Sequence, residues 1–193
     1  MKAIFLSASI PAPGREYYGT ANPLLIHAAV RAFLALVLGR RHLVWGGHPS
    51  ITPMVSAACE SLGLPYFDAV TLYQSRAFAK DFPNENDRFD NVVLTPEGVD
   101  RDSSLLTLRQ IMLGSHEFDG AVFIGGMNGV IDEHGLFNQM HPHSPVLAVH
   151  KPGGAAADLA LKLGYDPKAD PMPTDFTQIY IDHLGISPTE PRA

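Results

Sequence analysis

The 193-residue chain has a single cysteine, Cys59, which excludes an intrachain disulfide and is typical of a reducing compartment. The N-terminal segment lacks the long apolar core of a signal peptide. The most apolar stretch, 24–38, contains His27 and Arg31 and is too short to span a bilayer. We therefore expect a cytoplasmic protein without a membrane partner.

Basic residues are also few, since 14 Lys and Arg stand against 20 Asp and Glu and give a formal net charge of −6. Nucleic-acid-binding domains normally carry a basic face, so we expect no nucleic-acid partner. A local basic pocket for a phosphate is compatible with this balance. The hydrophobic content of 46% is sufficient for a packed core, and the length fits one domain.

The standard fingerprints of nucleotide-binding and hydrolytic enzymes are missing. The chain has no G-x-G-x-x-G, no G-x-x-x-x-G-K-[ST] and no G-x-S-x-G, which excludes a P-loop NTPase and disfavours a serine nucleophile. Neither cysteines nor a carboxylate cluster with zinc spacing accompany the histidines, so we expect no metal and no cofactor. The histidines considered are His134, His141, His143 and His150.

Short apolar segments alternate with helix-like segments along the chain. Predicted strands lie at residues 3–7, 42–45, 66–72, 91–94, 121–124 and 146–149. Helix-start signals are Asn22-Pro23, Ser50 or Thr52, Asp102 or Ser103, and a residue near Gly129. This alternation predicts an α/β fold with a single Rossmann-like open parallel sheet of about six strands and helices on both faces.

Two segments depart from this alternation. We expect one domain over residues 1–164, followed at 165–193 by a Pro-rich link and a C-terminal helix packed on the same domain. The polar segment 74–90 is predicted to be a long, partly ordered excursion. Three aromatic side chains flank this segment and are candidates to stack on a base as a lid, although packing in the core or in a satellite cluster is the preferred explanation for at least two of them. These are Tyr73, Phe78 and Phe82.

Three predicted strands are followed by glycine pairs, Gly46-Gly47, Gly125-Gly126 and Gly153-Gly154. In an open α/β sheet ligands bind outside the carboxyl ends of the strands, where glycine lets backbone N–H groups approach a phosphate. A single glycine pair is more often a tight turn. Three pairs at one edge of a sheet favour a shared ligand site.

The segments around the first two pairs resemble a known superfamily. V-W-G-G-H-P-S-I-T-P at 44–53 and F-I-G-G-M-N-G-V-I-D-E at 123–133 resemble the two Gly-rich loops of the SLOG superfamily, which includes DNA-processing protein A and the Lonely guy enzymes. They are most similar to the branch found beside TIR-type and other nucleotide-signalling modules in bacterial defence. The resemblance covers residues 1 to about 164 and implies binding of a nucleotide-like ligand.

The Lonely guy enzymes cleave the N-glycosidic bond of nucleoside monophosphates with an Arg and a Glu. The resemblance places Arg109 and Glu133 at these two positions. From the sequence alone, Glu133 could equally be a first-turn helix residue that complements the helix dipole, and Arg109 a solvated arginine on a helix face.

The second loop departs from the enzyme pattern P-G-G-x-G-T-x-x-E. It has one more residue before Gly129, Val130 replaces the Thr, and Ile124 replaces the Pro; Gln110 stands where the enzymes have a Lys. The lost hydroxyl and charge weaken the phosphate grip that the enzymes use, so binding transfers from the family more safely than hydrolysis.

Further candidate ligand-binding residues follow from the strand ends, and each has an alternative role. His48 can shape its loop with Pro49, Ser50 and Thr52 can cap a helix, Asn128 can adopt a left-handed turn, and Gly153 and Gly154 can simply open the last helix. The complete predicted ligand-binding set is Ser7, Gly46, Gly47, His48, Ser50, Thr52, Gly125, Gly126, Met127, Asn128, Gly129, Gly153 and Gly154.

Three functions follow from these features. The leading hypothesis is a sensor that binds a phosphate-bearing, nucleotide-derived ligand, such as an ADP-ribose-like, NAD-derived or cyclic nucleotide, and that acts on a separately encoded effector. The rival is a phosphoribohydrolase acting on a nucleoside 5′-monophosphate. A third possibility is an assembly protein, because the apolar helices favour a homo-oligomer.

Overall fold

A six-stranded, all-parallel sheet forms the centre of the computed structural model, which describes residues 2–192 except for the side chains of 64–66. The strands are β1 (Ala3–Ser9), β2 (His42–Trp45), β3 (Val70–Ser75), β4 (Asn91–Thr95), β5 (Phe118–Gly125) and β6 (Val146–Val149). Their order is β4-β3-β2-β1-β5-β6, so the chain winds outward from β1 to one edge and then continues from β5 to the other. The predicted Rossmann-like sheet is confirmed.

Six α-helices cover the two faces of this sheet in the described chain. They are α1 (Pro23–Val37), α2 (Thr52–Leu62), α3 (Arg101–Leu113), α4 (Asn128–Met140), α5 (Ala155–Lys162) and α6 (Phe176–Leu184). Alternate side chains of β1 enter different cores: Ile4 and Leu6 pack with α1, α2 and α6, whereas Phe5 packs with α3, α4 and α5. The strands are therefore buried on both faces, as a parallel sheet requires.

The third strand begins later than predicted, at Val70 instead of residue 66, because Leu64–Ala69 forms a 3-10 helix. Gly63 ends α2 with a φ of 103°, and the proline in the first turn that follows has no N–H to give to a sheet. The predicted excursion at 74–90 is also more regular than expected. Its first two residues complete β3, and short 3-10 helices form at Arg76–Asp81 and Asn84–Arg88.

Two predicted helix caps are wrong. Ile51 is the N-cap of α2 and gives no side-chain hydrogen bond, so neither Ser50 nor Thr52 caps this helix. The N-cap of α3 is Asp100, whose carboxylate accepts from the Ser103 N–H at 2.7 Å while the Ser103 hydroxyl bonds back to the Asp100 N–H. The difference arises because α3 starts two residues earlier than a cap at Asp102 would imply.

The C-terminal segment packs on α1. The buried Tyr180 hydroxyl of α6 donates to the Ala29 carbonyl at 3.0 Å, and its ring meets Phe33 edge to face. Arg192 continues the attachment with hydrogen bonds to the Leu38 and Ala35 carbonyls. Among residues 2–192, no helix is long and apolar enough to cross a membrane.

A substitution at Gly154, just before α5, tests how closely the loop before α5 packs against the loop after β5. Its φ and ψ of 73° and −169° suit glycine only, and a Cβ there would lie 2.6 Å from the backbone carbonyl carbon of Gly125. We expect Gly154→Ala to lower the free energy of unfolding by about 3 kcal/mol in chemical denaturation. Gly185, with a φ of 64° and open space around it, is the matched control.

Gly185→Ala is expected to cost only the left-handed backbone strain, about 1–2 kcal/mol. Equal losses in the two variants would contradict the close contact between the loops before α5 and after β5.

Candidate functional site

A cleft of about 400 Å³ opens at the carboxyl edge of the sheet, within the size range of small-molecule sites. Its floor is formed by the ends of β1 and β2, and its walls by α3, the start of α4 and the segment after β3. The cleft lies where the chain changes direction across the sheet, next to β1 and β5, which is the usual ligand position in such folds.

Ser7, Arg109 and Glu133 meet inside this cleft, although they come from β1, α3 and α4. The Ser7 hydroxyl donates a 2.5 Å hydrogen bond to Glu133 Oε2, and Arg109 Nε lies 3.6 Å from Glu133 Oε1. Arg109 is only 12% exposed, so it is not a solvated surface arginine. Glu133 lies in the second turn of α4, so it is not a first-turn residue either.

Burial controls the ionisation of Glu133. Burial raises the pKa of this carboxyl group, and the nearby charge of Arg109 and the hydrogen bond from Ser7 oppose that rise. The net direction is upward, so the protonated form is favoured more than in a free side chain. A carboxyl group with this property can hydrogen-bond a sugar hydroxyl or exchange a proton with a ligand.

Arg109 also reaches the preceding residue of α4, because its Nη1 lies 3.1 Å from Asp132 Oδ2. Its Nε is buried and has no hydrogen-bond acceptor among the described residues. Gly129 lies beside the same guanidinium, since a Cβ at this position would be 3.0 Å from Arg109 Nη2. The absence of a side chain at Gly129 therefore keeps the guanidinium close to the start of α4.

The loop after β2 is held in one conformation from two sides. Gly47 has a φ of 68°, and its carbonyl accepts a buried 2.8 Å hydrogen bond from Gln74 Nε2. The Ser50 hydroxyl accepts from the Ile10 N–H at 3.0 Å, which ties this loop to the end of β1. The residues of this loop that line the cleft include Gly46, Gly47 and His48. Ser50 is not one of them and only holds the loop in place.

His48 presents a defined tautomer to the cleft. Its Nδ1 lies 3.3 Å from the Ser50 N–H, which can only donate, and 2.9 Å from the Ser50 hydroxyl. The ring proton is therefore on Nε2. Burial and the charge of Arg15 lower the pKa of His48, which favours the neutral ring. Thr52 does not line the cleft, and its hydroxyl donates a 3.3 Å hydrogen bond to the His48 carbonyl within the same loop.

The start of α4 faces the cleft without a side-chain cap. Met127 is the N-cap and gives no capping hydrogen bond, and Met127, Asn128 and Gly129 all line the cleft. Asn128 is the first helical residue, so the left-handed turn suggested for it is wrong. Uncapped N–H groups and the helix dipole give this end of α4 a partial positive charge.

The second and third glycine pairs lie behind the cleft lining. Gly125 and Gly126 have φ values of 62° and 78°, and the Gly126 N–H donates to the Ser9 carbonyl at 2.8 Å. A Cβ on Gly153 would meet the Thr20 carbonyl oxygen at 1.9 Å. With Gly154, these glycines allow neighbouring backbones to approach each other, so the second and third pairs have a packing role.

A further wall of the cleft, here called the aromatic wall, was only partly predicted from the sequence. It consists of Phe78, Asp81, Phe82 and Arg101. Phe78 and Phe82 belong to neither apolar core, so the preference for core packing holds for Tyr73 alone. Arg101, the first residue of α3, was not predicted to line the cleft. The residues next to it in the sequence do not indicate where in the fold the start of this helix lies.

Arg15, Gln74 and Trp45 also line the cleft and were not predicted. The long loop between β1 and α1, at the ligand-binding edge, was the available signal for Arg15. The indole Nε1 of Trp45 is buried without an acceptor among the described residues. Among the same residues, no group of three or more His, Cys, Asp or Glu side chains is placed to hold a metal ion.

The parallel sheet and the two Gly-rich loops at its carboxyl edge define the class of protein, a Rossmann-like α/β fold with a strand-end cleft. Residues 16–184 match the model of the SLOG cluster3 family, and the chain belongs to this family. The family suggests a nucleotide-related ligand or activity. No curated protein matches the chain.

The raised pKa of Glu133 makes a prediction about stability against pH. Its folded-state pKa lies above the ordinary value of about 4.3, so wild-type stability falls as pH rises from that value through the folded pKa. We expect Glu133→Gln to lack this decrease, and the difference in unfolding free energy between variant and wild type to grow with pH. Urea denaturation across pH 4–8, about the range concerned, measures this difference.

Ser7→Ala provides a second comparison in the same experiment, because it removes a hydrogen bond that lowers the pKa of Glu133. The pH-dependent decrease should then become larger. A wild-type profile that runs parallel to that of Glu133→Gln would contradict the raised pKa.

Proposed function

We propose that this protein is a sensor that binds a phosphate-bearing, nucleotide-derived ligand, such as an ADP-ribose-like, NAD-derived or cyclic nucleotide, in the strand-end cleft. The observation that carries this proposal is the uncapped start of α4, which opens into the cleft next to the buried pair of Arg109 and Glu133. The two features suit the two polar parts of a nucleotide.

The start of α4 is the proposed phosphate position. The N–H groups of its first turn receive no side-chain cap, and an anion there would gain both hydrogen bonds and the helix dipole. Gly129 leaves room for close approach, and Arg109 Nη2 lies beside it. The loop of Gly46 and Gly47 lines the same cleft and offers further backbone to the ligand.

The proposed sugar position is next to Ser7 and Glu133. A half-buried carboxyl group accepts hydrogen bonds from vicinal hydroxyls, and the hydrogen bond from Ser7 fixes its orientation. The Nε2–H of His48 adds a donor. The part of the cleft around Arg109 is not strongly positive, because Asp132 and Glu133 together offset the charge of Arg109. This balance suits hydroxyl groups better than a second phosphate.

Adding a carboxylate at the start of α4 tests the phosphate position. Gly129→Asp places a negative charge where the phosphate is proposed, so we expect it to weaken nucleotide binding at least tenfold by repulsion. Gly135→Asp adds the same charge to the same helix at an exposed position with open space, outside the cleft lining, and should bind like wild type. Calorimetry with AMP, ADP, ADP-ribose, NAD and 3′,5′-cyclic AMP gives the affinities.

Thermal melting of the same mixtures provides a second readout, because a ligand at a hundred times its Kd stabilises the folded state by about 2.7 kcal/mol. If no nucleotide binds or stabilises the unmodified protein, the proposed function is wrong. Equal weakening by Gly129→Asp and Gly135→Asp would contradict the phosphate position alone.

A phosphoribohydrolase activity is the second candidate, favoured by the contacts among Ser7, Arg109 and Glu133. A carboxylate beside the ribose can stabilise the oxocarbenium-like centre that forms as the glycosidic bond breaks. The raised pKa of Glu133 also suits proton exchange. Release of the free base from a nucleoside 5′-monophosphate is the reaction to be measured.

Chromatography of nucleoside 5′-monophosphates after incubation with the protein tests this activity. We expect any base release to disappear in Glu133→Gln, while Gln139→Glu, an exposed change near the end of the same helix, leaves it unchanged. No release by the unmodified protein, or equal release by Glu133→Gln, excludes Glu133-dependent hydrolysis and leaves the binding proposal standing.

The same proposal includes the cellular location of the sensor, its oligomeric state, its effector and the extent of its domain. A cytoplasmic location is supported by the low cysteine content, since one buried cysteine, Cys59, cannot form an intrachain disulfide. Homo-oligomerisation is supported by the exposed Leu106 and Ile111 on α3. A sensor of this kind would act on a separately encoded effector. The attachment of α6 to α1 supports assigning 165–193 to the same folded unit as 1–164.

A further inference from the structure

The aromatic wall has no packing role that accounts for its ring side chains. Phe78 and Phe82 are half-buried, line the cleft and belong to neither of the two apolar cores. Phe78 lies at a break in its 3-10 helix, with φ and ψ of −113° and 17°. Two rings that line a cleft from one short segment offer apolar faces to a ligand.

Arg101 lies over this surface without a carboxylate partner. Its guanidinium carbon is 5.3 Å from the centre of the Phe78 ring, a cation–π contact. The other two arginines of the cleft form ion pairs, Arg15 with Glu16 and Arg109 with Asp132 and Glu133. Within residues 2–192, Arg101 makes no such pair, and its side chain is exposed. Its guanidinium can therefore move away from the ring at little cost.

We propose that Phe78 and Arg101 bind the base of the ligand, which stacks on the Phe78 ring with the Arg101 guanidinium on its opposite face. This inference rests on the proposed function and adds the requirement for a flat heteroaromatic group. Arginine and phenylalanine both stack on nucleobases, whereas a sugar phosphate or an inorganic phosphate has no flat face to offer.

The geometry requires only a small rearrangement. A stacked ring occupies about 3.5 Å, the contact distance between carbon atoms, and a long, unpaired arginine can lift by that amount. Because Phe78, Arg101, Glu133 and the start of α4 line one cleft, the base, sugar and phosphate of a single ligand can occupy three parts of it.

Phe78→Leu tests the stacking contact because it keeps an apolar side chain and removes the ring. We expect its affinity for AMP, or for ADP-ribose, to fall by about 5- to 100-fold, as for other aromatic–base contacts. Ribose 5-phosphate, which lacks the base, should bind Phe78→Leu and wild type alike. Arg101→Ala should show the same selective loss. The single tryptophan, Trp45, lines the cleft and provides a fluorescence titration beside calorimetry.

Arg76→Ala is the matched control, since Arg76 is exposed in the same 3-10 helix and outside the cleft lining. It should bind every probe like wild type, and thermal melting of each ligand-free variant verifies its folding. If ribose 5-phosphate binds too weakly to measure, the two variants are compared for AMP alone. Weaker AMP binding by Phe78→Leu, together with wild-type AMP binding by Arg76→Ala, then supports the proposal.

Three results overturn it. Equal weakening of AMP and ribose 5-phosphate by Arg101→Ala would make Arg101 a phosphate ligand instead. Unchanged AMP and ADP-ribose binding by Phe78→Leu would remove the stacking contact while leaving the proposed function intact. If the unmodified protein binds none of the nucleotides, both the base position and the proposed function fail.

Discussion

The hydrogen bond from Ser7 to Glu133, with Arg109 on the other side of the carboxylate, joins three of the elements that form the cleft, namely β1, α3 and α4. It spans 126 residues of sequence and connects the central strand to α4, while Arg109 connects α3 to the same carboxylate. A buried carboxylate without such partners would be strongly destabilising. The need to satisfy it constrains how α3 and α4 lie over the carboxyl edge of β1.

Glycine makes this arrangement possible in two different ways. Gly129 keeps the start of α4 open beside Arg109, and Gly47 lets Gln74 hold the loop after β2. Gly125 and Gly154 instead let two loop backbones touch behind the cleft. The same residue type therefore shapes the cleft lining in the first case and allows close backbone packing in the second. Only the three-dimensional structure distinguishes them.

The sequence was sufficient to predict the parallel sheet, because short apolar segments and helix-like segments alternate along most of it. It also singled out Ser7, Arg109 and Glu133, although their contacts depend on strand order, which local patterns do not encode. The later start of β3 was missed because the two aromatic residues at 66–67 suit a strand, whereas the structure has Leu64–Ala69 as a 3-10 helix. Arg101 was missed because its neighbour Phe78 is 23 positions away and meets it only in the folded chain.

The most direct test of the central claim is a crystal structure of the protein with bound ADP-ribose or AMP. We expect the phosphate at the start of α4, within hydrogen-bond distance of the Gly129 N–H, and the ribose hydroxyls against Glu133. Nucleotide density confined to another surface, such as the second cavity beside Glu60, Phe67 and Arg88, would contradict the assignment of the strand-end cleft as the ligand site.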